Sequence, residues 1–166
     1  MIEQKDYVIP AQTRIGHVHL KVADIERSLR FYRDLLGFEL TMRYGSQAAF
    51  VSAGGYHHHI GLNTWHSEGL PHAPGNNVGL YHIAILYPDR KDLAQIYDRL
   101  NKAGYPLAGA SDHGVSEALY LDDPDGNGVE LYWDKPRELW PKNADGSLTM
   151  FTRSLDLHSL MQELNV

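Results

Sequence analysis

Residues 17–24 read HVHLKVAD and residues 82–89 read HIAILYPD, and this repeated pattern decides the fold. In each stretch a histidine opens an alternating, strand-like run and an aspartate closes it. A segment with apolar residues at helical spacing follows each stretch and ends at a glycine, Gly37 in the first copy and Gly104 in the second. The sequence therefore contains an internal repeat in which a strand is followed by a helix.

The two strands of the repeat each have an aliphatic face and a histidine face. Val18 and Leu20 fall on one side of the first strand and His17 on the other, because side chains alternate along a strand. The same alternation separates Ile83 from His82 in the second strand. Each helix carries an apolar stripe, so we expect it to cover the aliphatic face of its sheet and leave the histidine face open.

Further strand-like runs follow each helix. They are residues 38–43, 48–52 and 58–65 in the first half, and 117–121 and 129–133 in the second. Each half is therefore expected to contain a strand, a helix and then about three strands. The stretch 66–79 is rich in Pro, Gly and Asn and is expected to link the halves.

These runs predict an α+β fold of two βαβββ modules, residues 14–66 and 79–134. The modules are expected to make up a single domain, residues 1–134. From residue 135 the pattern breaks, and residues 135–166 are expected to form a C-terminal extension. This extension is predicted to be an extended tail with a short closing helix at 155–164.

Composition excludes several classes of function. The 166 residues are 43% hydrophobic and 22% charged, as in a folded globular protein. The net charge of −6 leaves no basic excess to neutralise a phosphate backbone, which argues against nucleic-acid binding. No apolar run approaches the roughly 18–20 residues that span a bilayer, so we expect no membrane association and a cytoplasmic location. The chain has ten histidines and no cysteine, so a transition-metal site would use imidazole and carboxylate.

Three residues are candidates for such a metal site. His17 and His82 are equivalent residues of the repeat, and they face each other if the modules pair by a pseudo-twofold axis. Glu130 lies in the last predicted strand, on the face opposite its aliphatic neighbours. Two histidines and one carboxylate form the facial triad that binds non-haem Fe(II) and leaves positions open for substrate and oxygen.

Four motifs resemble the vicinal oxygen chelate superfamily, which includes glyoxalase I, bleomycin-resistance proteins and extradiol ring-cleaving dioxygenases. They lie at residues 16–20, 31–38, 81–84 and 123–132. The resemblance covers roughly residues 14–134 and is greatest to the first half of bacterial catechol 2,3-dioxygenase-like proteins. It implies that the paired modules form a curved mixed sheet around a metal site.

The resemblance also implies roles for individual residues. The implied metal ligands are His17, His82 and Glu130. The run 58–62 is similar to the stretch that carries the acid–base histidine of extradiol dioxygenases, which places this role on His58. Residues 112–116 are similar to a second active-site segment, which places another histidine at His113, and Tyr120 matches the position of the active-site tyrosine.

The implied activity is cleavage of a catechol-like aromatic diol by O2, with Fe(II) as the expected metal. Mn(II), Ni(II) and Zn(II) remain alternatives, and we expect a homo-oligomer. A catechol can chelate the metal through both oxygens, while histidine can take up and return a proton near neutral pH.

Two other functions remain open. A glyoxalase-type lyase or isomerase would use four protein ligands and Ni, Zn or Co, and its additional ligand would fall near His59. A non-catalytic small-molecule binding protein of the antibiotic-resistance type commonly lacks the metal ligands, whereas this chain retains all three candidates.

Overall fold

The computed structural model describes residues 7–72 and 78–165. The strands are β1 (Val18–Lys21), β2 (Glu39–Tyr44), β3 (Ala48–Ser52), β4 (Ile60–Asn63), β5 (His82–Leu86), β6 (Gly109–Asp112), β7 (Ser116–Asp122), β8 (Gly128–Asp134) and β9 (Arg153–Ser154). Helix α1 begins as an α-helix (Ile25–Leu29) and continues as a π-helix (Arg30–Leu35); the others are α2 (Arg90–Lys102) and α3 (Leu157–Gln162). Short 3-10 turns cover Arg137–Leu139 and Glu163–Asn165. Part of the predicted linker, residues 73–77, lies outside the described residues.

The two repeat helices begin and end where the sequence predicts. The side chains of Asp24 and Asp89 each accept a hydrogen bond from a backbone N–H in the first turn of α1 and α2. Gly37 and Gly104 follow the helices with φ angles of 90° and 65°, which glycine adopts without steric cost. None of the helices within the described ranges is long and apolar enough to cross a membrane.

The strands form two mixed sheets, with the orders β1-β4-β3-β2 and β5-β8-β7-β6-β9. In each sheet the first strand pairs in parallel with the fourth strand of its module, and the remaining pairs are antiparallel. The predicted α+β fold with two βαβββ modules is therefore confirmed. The strand expected over 58–65 is shorter and covers Ile60–Asn63, because residues 53–59 belong to the preceding loop, where Gly54 and Gly55 have positive φ.

A buried turn joins the two modules. Asp123 accepts a hydrogen bond from the hydroxyl of Tyr32 at 2.9 Å, and Asp125 accepts one from the N–H of Ala23 at 3.1 Å and pairs with Arg27. The donors lie in the first module and the acceptors lie between β7 and β8. One continuous apolar core extends through both modules around these contacts.

The C-terminal extension is more ordered than an extended tail. Its strand β9 pairs with β6 and adds a fifth strand to the second sheet. Its helix α3 packs on α2, with Leu160 fully buried, and the Arg90 guanidinium bonds to Glu163 at 2.7 Å. The predicted closing helix at 155–164 is present, over Leu157–Gln162.

Candidate functional site

Four polar side chains of the second module form one cluster, in which Tyr120 is hydrogen-bonded to both Glu130 and His113 and Glu130 lies next to His82. The Glu130 carboxylate accepts through Oε1 from the Tyr120 hydroxyl at 3.0 Å, and its Oε2 lies 3.0 Å from Nε2 of His82. The Tyr120 oxygen also lies 2.7 Å from Nε2 of His113. The structure thus brings together these four of the six predicted site residues.

The register of the second sheet explains why Tyr120, Glu130 and His82 lie close together. Tyr120 lies directly opposite Glu130 in the antiparallel pair of β7 and β8, and Glu130 lies opposite Ala84 in the parallel pair of β8 and β5. His82 is two residues before Ala84 and therefore on the same face. Residues directly opposite each other in an antiparallel pair hold their Cβ atoms about 4.5–5.5 Å apart, within reach of a hydrogen bond between long side chains.

His113 enters the cluster from the turn between β6 and β7. Its backbone N–H donates to the Ser116 carbonyl at 2.9 Å, and the Gly114 N–H donates to the Asp112 carboxylate at 2.8 Å. Gly114 has a φ of 80°, so the tight turn depends on glycine at this position.

The Tyr120 hydroxyl has one hydrogen and two acceptors. Burial raises the pKa of Tyr120, and the neighbouring Glu130 raises that pKa further through its charge and its hydrogen bond. The phenol therefore keeps its proton at neutral pH. That proton can lie toward Glu130 or toward His113, which makes Tyr120 suited to pass a proton between them.

The remaining two predicted site residues meet in the first module. The ring centroids of His17 and His58 are 4.4 Å apart, and the Phe50 ring lies 5.1 Å from the His58 ring. Nδ1 of His57 lies 2.7 Å from Nδ1 of His58. Burial lowers the pKa of His58, and the nearby His17 and His57 lower that pKa further, so the His58 imidazole is neutral at neutral pH.

Two other histidines of the first module have defined surroundings. Nδ1 of His59 accepts from the Ala53 N–H at 3.3 Å and lies 2.9 Å from the Ser52 hydroxyl oxygen. Its role as an additional ligand stays a prediction. His19, for which the sequence indicates no role, lies with its ring 5.6 Å from that of Trp65.

The predicted metal ligands fit a metal by type but do not assemble within one chain. Two imidazoles and a carboxylate are the donors that non-haem Fe(II) sites use. His82 and Glu130 are together, whereas His17 belongs to the His58 group. Across residues 7–72 and 78–165, no three His, Asp or Glu side chains lie close enough to hold a metal ion. The triad of His17, His82 and Glu130 therefore stays a prediction.

A cavity of about 450 Å³ adjoins the second-module cluster. Its lining includes His82, His113, Tyr120, Gly128 and Thr152. This volume is within the roughly 300–1,000 Å³ range of small-molecule sites.

Sequence reasoning missed the contribution of the tail to this site. Nδ1 of His113 lies 3.1 Å from the Phe151 carbonyl oxygen and 3.2 Å from the Thr152 hydroxyl oxygen. These partners are 38 and 39 residues away along the chain, and no local motif signals such a contact.

Comparison with known proteins places these features in a family. The sequence model of the Glyoxalase/Bleomycin resistance protein/Dioxygenase superfamily matches residues 14–131, which cover the first module and most of the second. Catechol-2,3-dioxygenase of Bacillus subtilis (strain 168) is 40% identical over 156 residues. That match covers 93% of this chain and 53% of the relative, so the chain spans about half the length of that dioxygenase.

Other relatives include lyases. The probable lactoylglutathione lyase of Synechocystis sp. is 30% identical over 124 residues, which cover 69% of this chain and 91% of the relative. Among solved structures, a glyoxalase/dioxygenase from Nostoc punctiforme has a TM-score of 0.64 at 18% identity, covering 80% of this chain and 99% of that one. That structural likeness concerns the fold alone. The repeat, the paired modules and the match over most of both modules agree, and the chain belongs to the glyoxalase/bleomycin resistance/dioxygenase superfamily, also called the vicinal oxygen chelate superfamily.

Proposed function

We propose that the chain forms the site of a metal-dependent extradiol dioxygenase, which cleaves a catechol-like aromatic diol with O2. The observation that carries this proposal is the Glu130 carboxylate, which is hydrogen-bonded to Tyr120 and adjacent to His82. The 40% identity to the Bacillus subtilis catechol-2,3-dioxygenase supports it.

The proposed metal ligands are His17, His82 and Glu130. Their donor types favour Fe(II), with Mn(II), Ni(II) and Zn(II) as alternatives. A bound metal ion would supply polarisation and positioning of the two diol oxygens.

Three residues are proposed to handle protons around the diol. Ring cleavage requires a base that removes a hydroxyl proton and an acid that later returns one. His58 suits the first role, because it is neutral and lies beside His17. Tyr120 and His113 suit the second, because the phenol proton has acceptors on both sides.

We propose that a second copy of the chain completes the ligand set. One chain places His82 with Glu130 but keeps His17 with His58. A twofold dimer would put His17 of each protomer beside His82 and Glu130 of its partner. Such an interface is self-complementary and produces two identical sites.

The surface around the outer strands supports this assembly. Strands β1 and β5 each form one edge of their sheet. His17 lies immediately before β1, and His82 is the first residue of β5. Large apolar side chains beside these strands are exposed, including Ile15 at 90%, Tyr81 at 89% and Leu86 at 53%. Pairing with a second copy of the chain would cover these exposed side chains.

The activity is tested with protein purified anaerobically and loaded with Fe(II). Addition of catechols should produce oxygen uptake and a yellow ring-opened product. Metal loading without oxygen uptake from any diol tested would exclude the dioxygenase. Metal analysis of protein purified without added metal is the companion measurement, since iron favours oxygen chemistry.

The shared site is tested by mixing two inactive variants. His17→Ala and His82→Ala should each fail to retain metal. After subunit exchange, mixed dimers contain one intact site, so about one quarter of all sites should bind metal in a statistical mixture. A mixture that binds none, while wild-type protein binds metal, would show that all ligands come from one chain.

A glyoxalase-type lyase is the second candidate. The observation in its favour is the match to the Synechocystis probable lactoylglutathione lyase, which covers 91% of that relative. This function predicts nickel or zinc in the purified protein and isomerisation of a hemithioacetal without oxygen uptake. It would leave the contact between Tyr120 and His113 without a catalytic role.

A further inference from the structure

The C-terminal tail contacts Nδ1 of the His113 ring, the nitrogen that does not face Tyr120. Nε2 of His113 faces Tyr120, whereas Nδ1 lies within 3.1 Å of the Phe151 carbonyl oxygen and 3.2 Å of the Thr152 hydroxyl oxygen. The Phe151 N–H also donates to the His113 carbonyl at 3.3 Å. The tail thus binds both the backbone and the side chain of this histidine.

The tail segment is itself held in place. Strand β9 follows it and pairs with β6, and the Leu155 N–H then donates to the Ala110 carbonyl at 3.2 Å. Further on, Leu160 is fully buried. The Phe151 ring packs so closely on Gly114 that a Cβ there would lie 2.7 Å from it. The Phe151 carbonyl therefore has a defined position relative to the turn that carries His113.

The hydrogen-bond chemistry at Nδ1 determines the state of the ring. A carbonyl oxygen only accepts hydrogen bonds, so Nδ1 of His113 must carry the hydrogen in its bond to Phe151. In a neutral imidazole with hydrogen on Nδ1, the lone pair is on Nε2. That lone pair faces the Tyr120 hydroxyl at 2.7 Å and can accept its proton.

We propose that the Phe151 carbonyl and the Thr152 hydroxyl are positioning groups that hold His113 in the tautomer whose Nε2 lone pair faces the Tyr120 hydroxyl and can take up its proton. A segment outside the repeated modules thus sets which nitrogen faces the site. The effect on turnover rests on the proposed dioxygenase function, whereas the tautomer can be measured without substrate.

The first test compares two substitutions of Thr152. Thr152→Val removes one acceptor of Nδ1 while keeping the branched shape, and Thr152→Ser keeps the hydroxyl. A hydrogen bond contributes about 0.5–1.5 kcal/mol, so Thr152→Val should lower kcat for the diol about two- to tenfold with KM unchanged. Thr152→Ser should retain wild-type kcat, and both variants should keep the wild-type melting temperature, since Thr152 is exposed.

The second test moves the Phe151 carbonyl with a matched pair of glycine substitutions. Gly114→Ala forces a Cβ against the Phe151 ring, whereas Gly146→Ala meets nothing within 4 Å. Both glycines have similar positive φ angles, 80° and 83°, so the backbone strain is comparable. Nitrogen NMR of the imidazoles, without substrate, should show the hydrogen of His113 on Nδ1 in the wild type and in Gly146→Ala. Gly114→Ala should show hydrogen on Nε2 in a substantial fraction of molecules.

The outcomes separate the two proposals. A wild-type His113 with its hydrogen on Nε2 would overturn the positioning role, as would unchanged tautomer and kcat in both Thr152→Val and Gly114→Ala. If Gly114→Ala does not fold, the comparison of Thr152→Val with Thr152→Ser tests the positioning role. If the wild type lacks diol turnover but has Nδ1 protonated, and Thr152→Val lowers that protonated fraction, the proposed function fails while the positioning role holds.

Discussion

The Tyr120 oxygen lies 2.7 Å from Nε2 of His113. His113 is in the turn between β6 and β7, and Tyr120 is within β7. Tyr120 also bonds to Glu130, so His113 is connected to a proposed metal ligand through a single phenol. The two side chains should therefore act as one unit in proton transfer.

Substitutions of this pair should be non-additive. Tyr120→Phe and His113→Gln should each lower turnover about 10²–10⁴-fold with metal retained, because general acid–base groups contribute on this scale. The double variant should lose little more than either single variant, since each removes the same pathway. Tyr132→Phe is the control, because Tyr132 lies on the Glu130 face of β8 and belongs to none of these hydrogen bonds. Multiplicative losses in the double variant would indicate independent roles.

Metal retention should distinguish the proposed metal ligand His82 from the proposed base His58. His82→Ala removes the imidazole beside Glu130, and metal analysis after gel filtration should find it without bound metal. His58→Ala should keep its metal and lose turnover. Equal metal loss in both variants would favour the glyoxalase-type site with an additional ligand from the first module.

Replacement of Gly128 should damage the fold beside His82. A Cβ at Gly128 would clash with the backbone carbonyl oxygen of Tyr81, which cannot move without displacing the start of β5. Gly128→Ala should therefore lower the free energy of unfolding by about 1–3 kcal/mol and weaken metal binding. Gly109→Ala is the control in the same sheet, because its nearest neighbour is 4.0 Å away. Denaturant titrations measure the free energy of unfolding of both variants. An equal decrease in the two would contradict the proposed clash at Gly128.

The Tyr32 hydroxyl should stabilise the folded chain at neutral pH and lose this effect at strongly alkaline pH. Burial raises the pKa of Tyr32 well above its ordinary value, and Asp123 raises that pKa further. Above about pH 10 the unfolded phenol loses its proton first, so the unfolding free energy of the wild type falls as pH rises.

Tyr32→Phe lacks this titration. At neutral pH it should be less stable than the wild type by about 0.5–1.5 kcal/mol, since Asp123 keeps its bond to the Asn127 amide. Urea titrations at several pH values should show this difference shrinking above about pH 10. A difference that stays constant across that range would mean that the Tyr32 pKa is not raised in the folded state.

The features that the sequence predicts well are local ones. Alternation in residues 17–24 and 82–89, the aspartate caps and the terminal glycines each act within a few residues, and the structure has them all. Strand β6 was missed, because Gly109–Asp112 contains no β-branched or aromatic residue and becomes a strand by pairing with β7 and β9.

The relative placement of the modules could not be predicted from the repeat. Equivalent positions for His17 and His82 do not say how two modules pack, which depends on long-range contacts such as that of Tyr32 with Asp123. The tail contacts to His113 are equally distant along the chain. Residue types and local spacing therefore indicate the chemistry of the site, while its assembly depends on tertiary packing.

The pairing of β9 with β6 also protects the molecule from aggregation. An uncovered strand edge presents backbone groups that can add a strand from another molecule. The outer strand β2 of the first sheet has a register shift between Leu40 and Met42 and carries charged residues, which discourage such pairing. Strand β6 has one charged side chain, that of Asp112, and relies on β9 for cover. A chain shortened before residue 151 would expose this edge, so loss of the tail should first appear as self-association into β-rich aggregates.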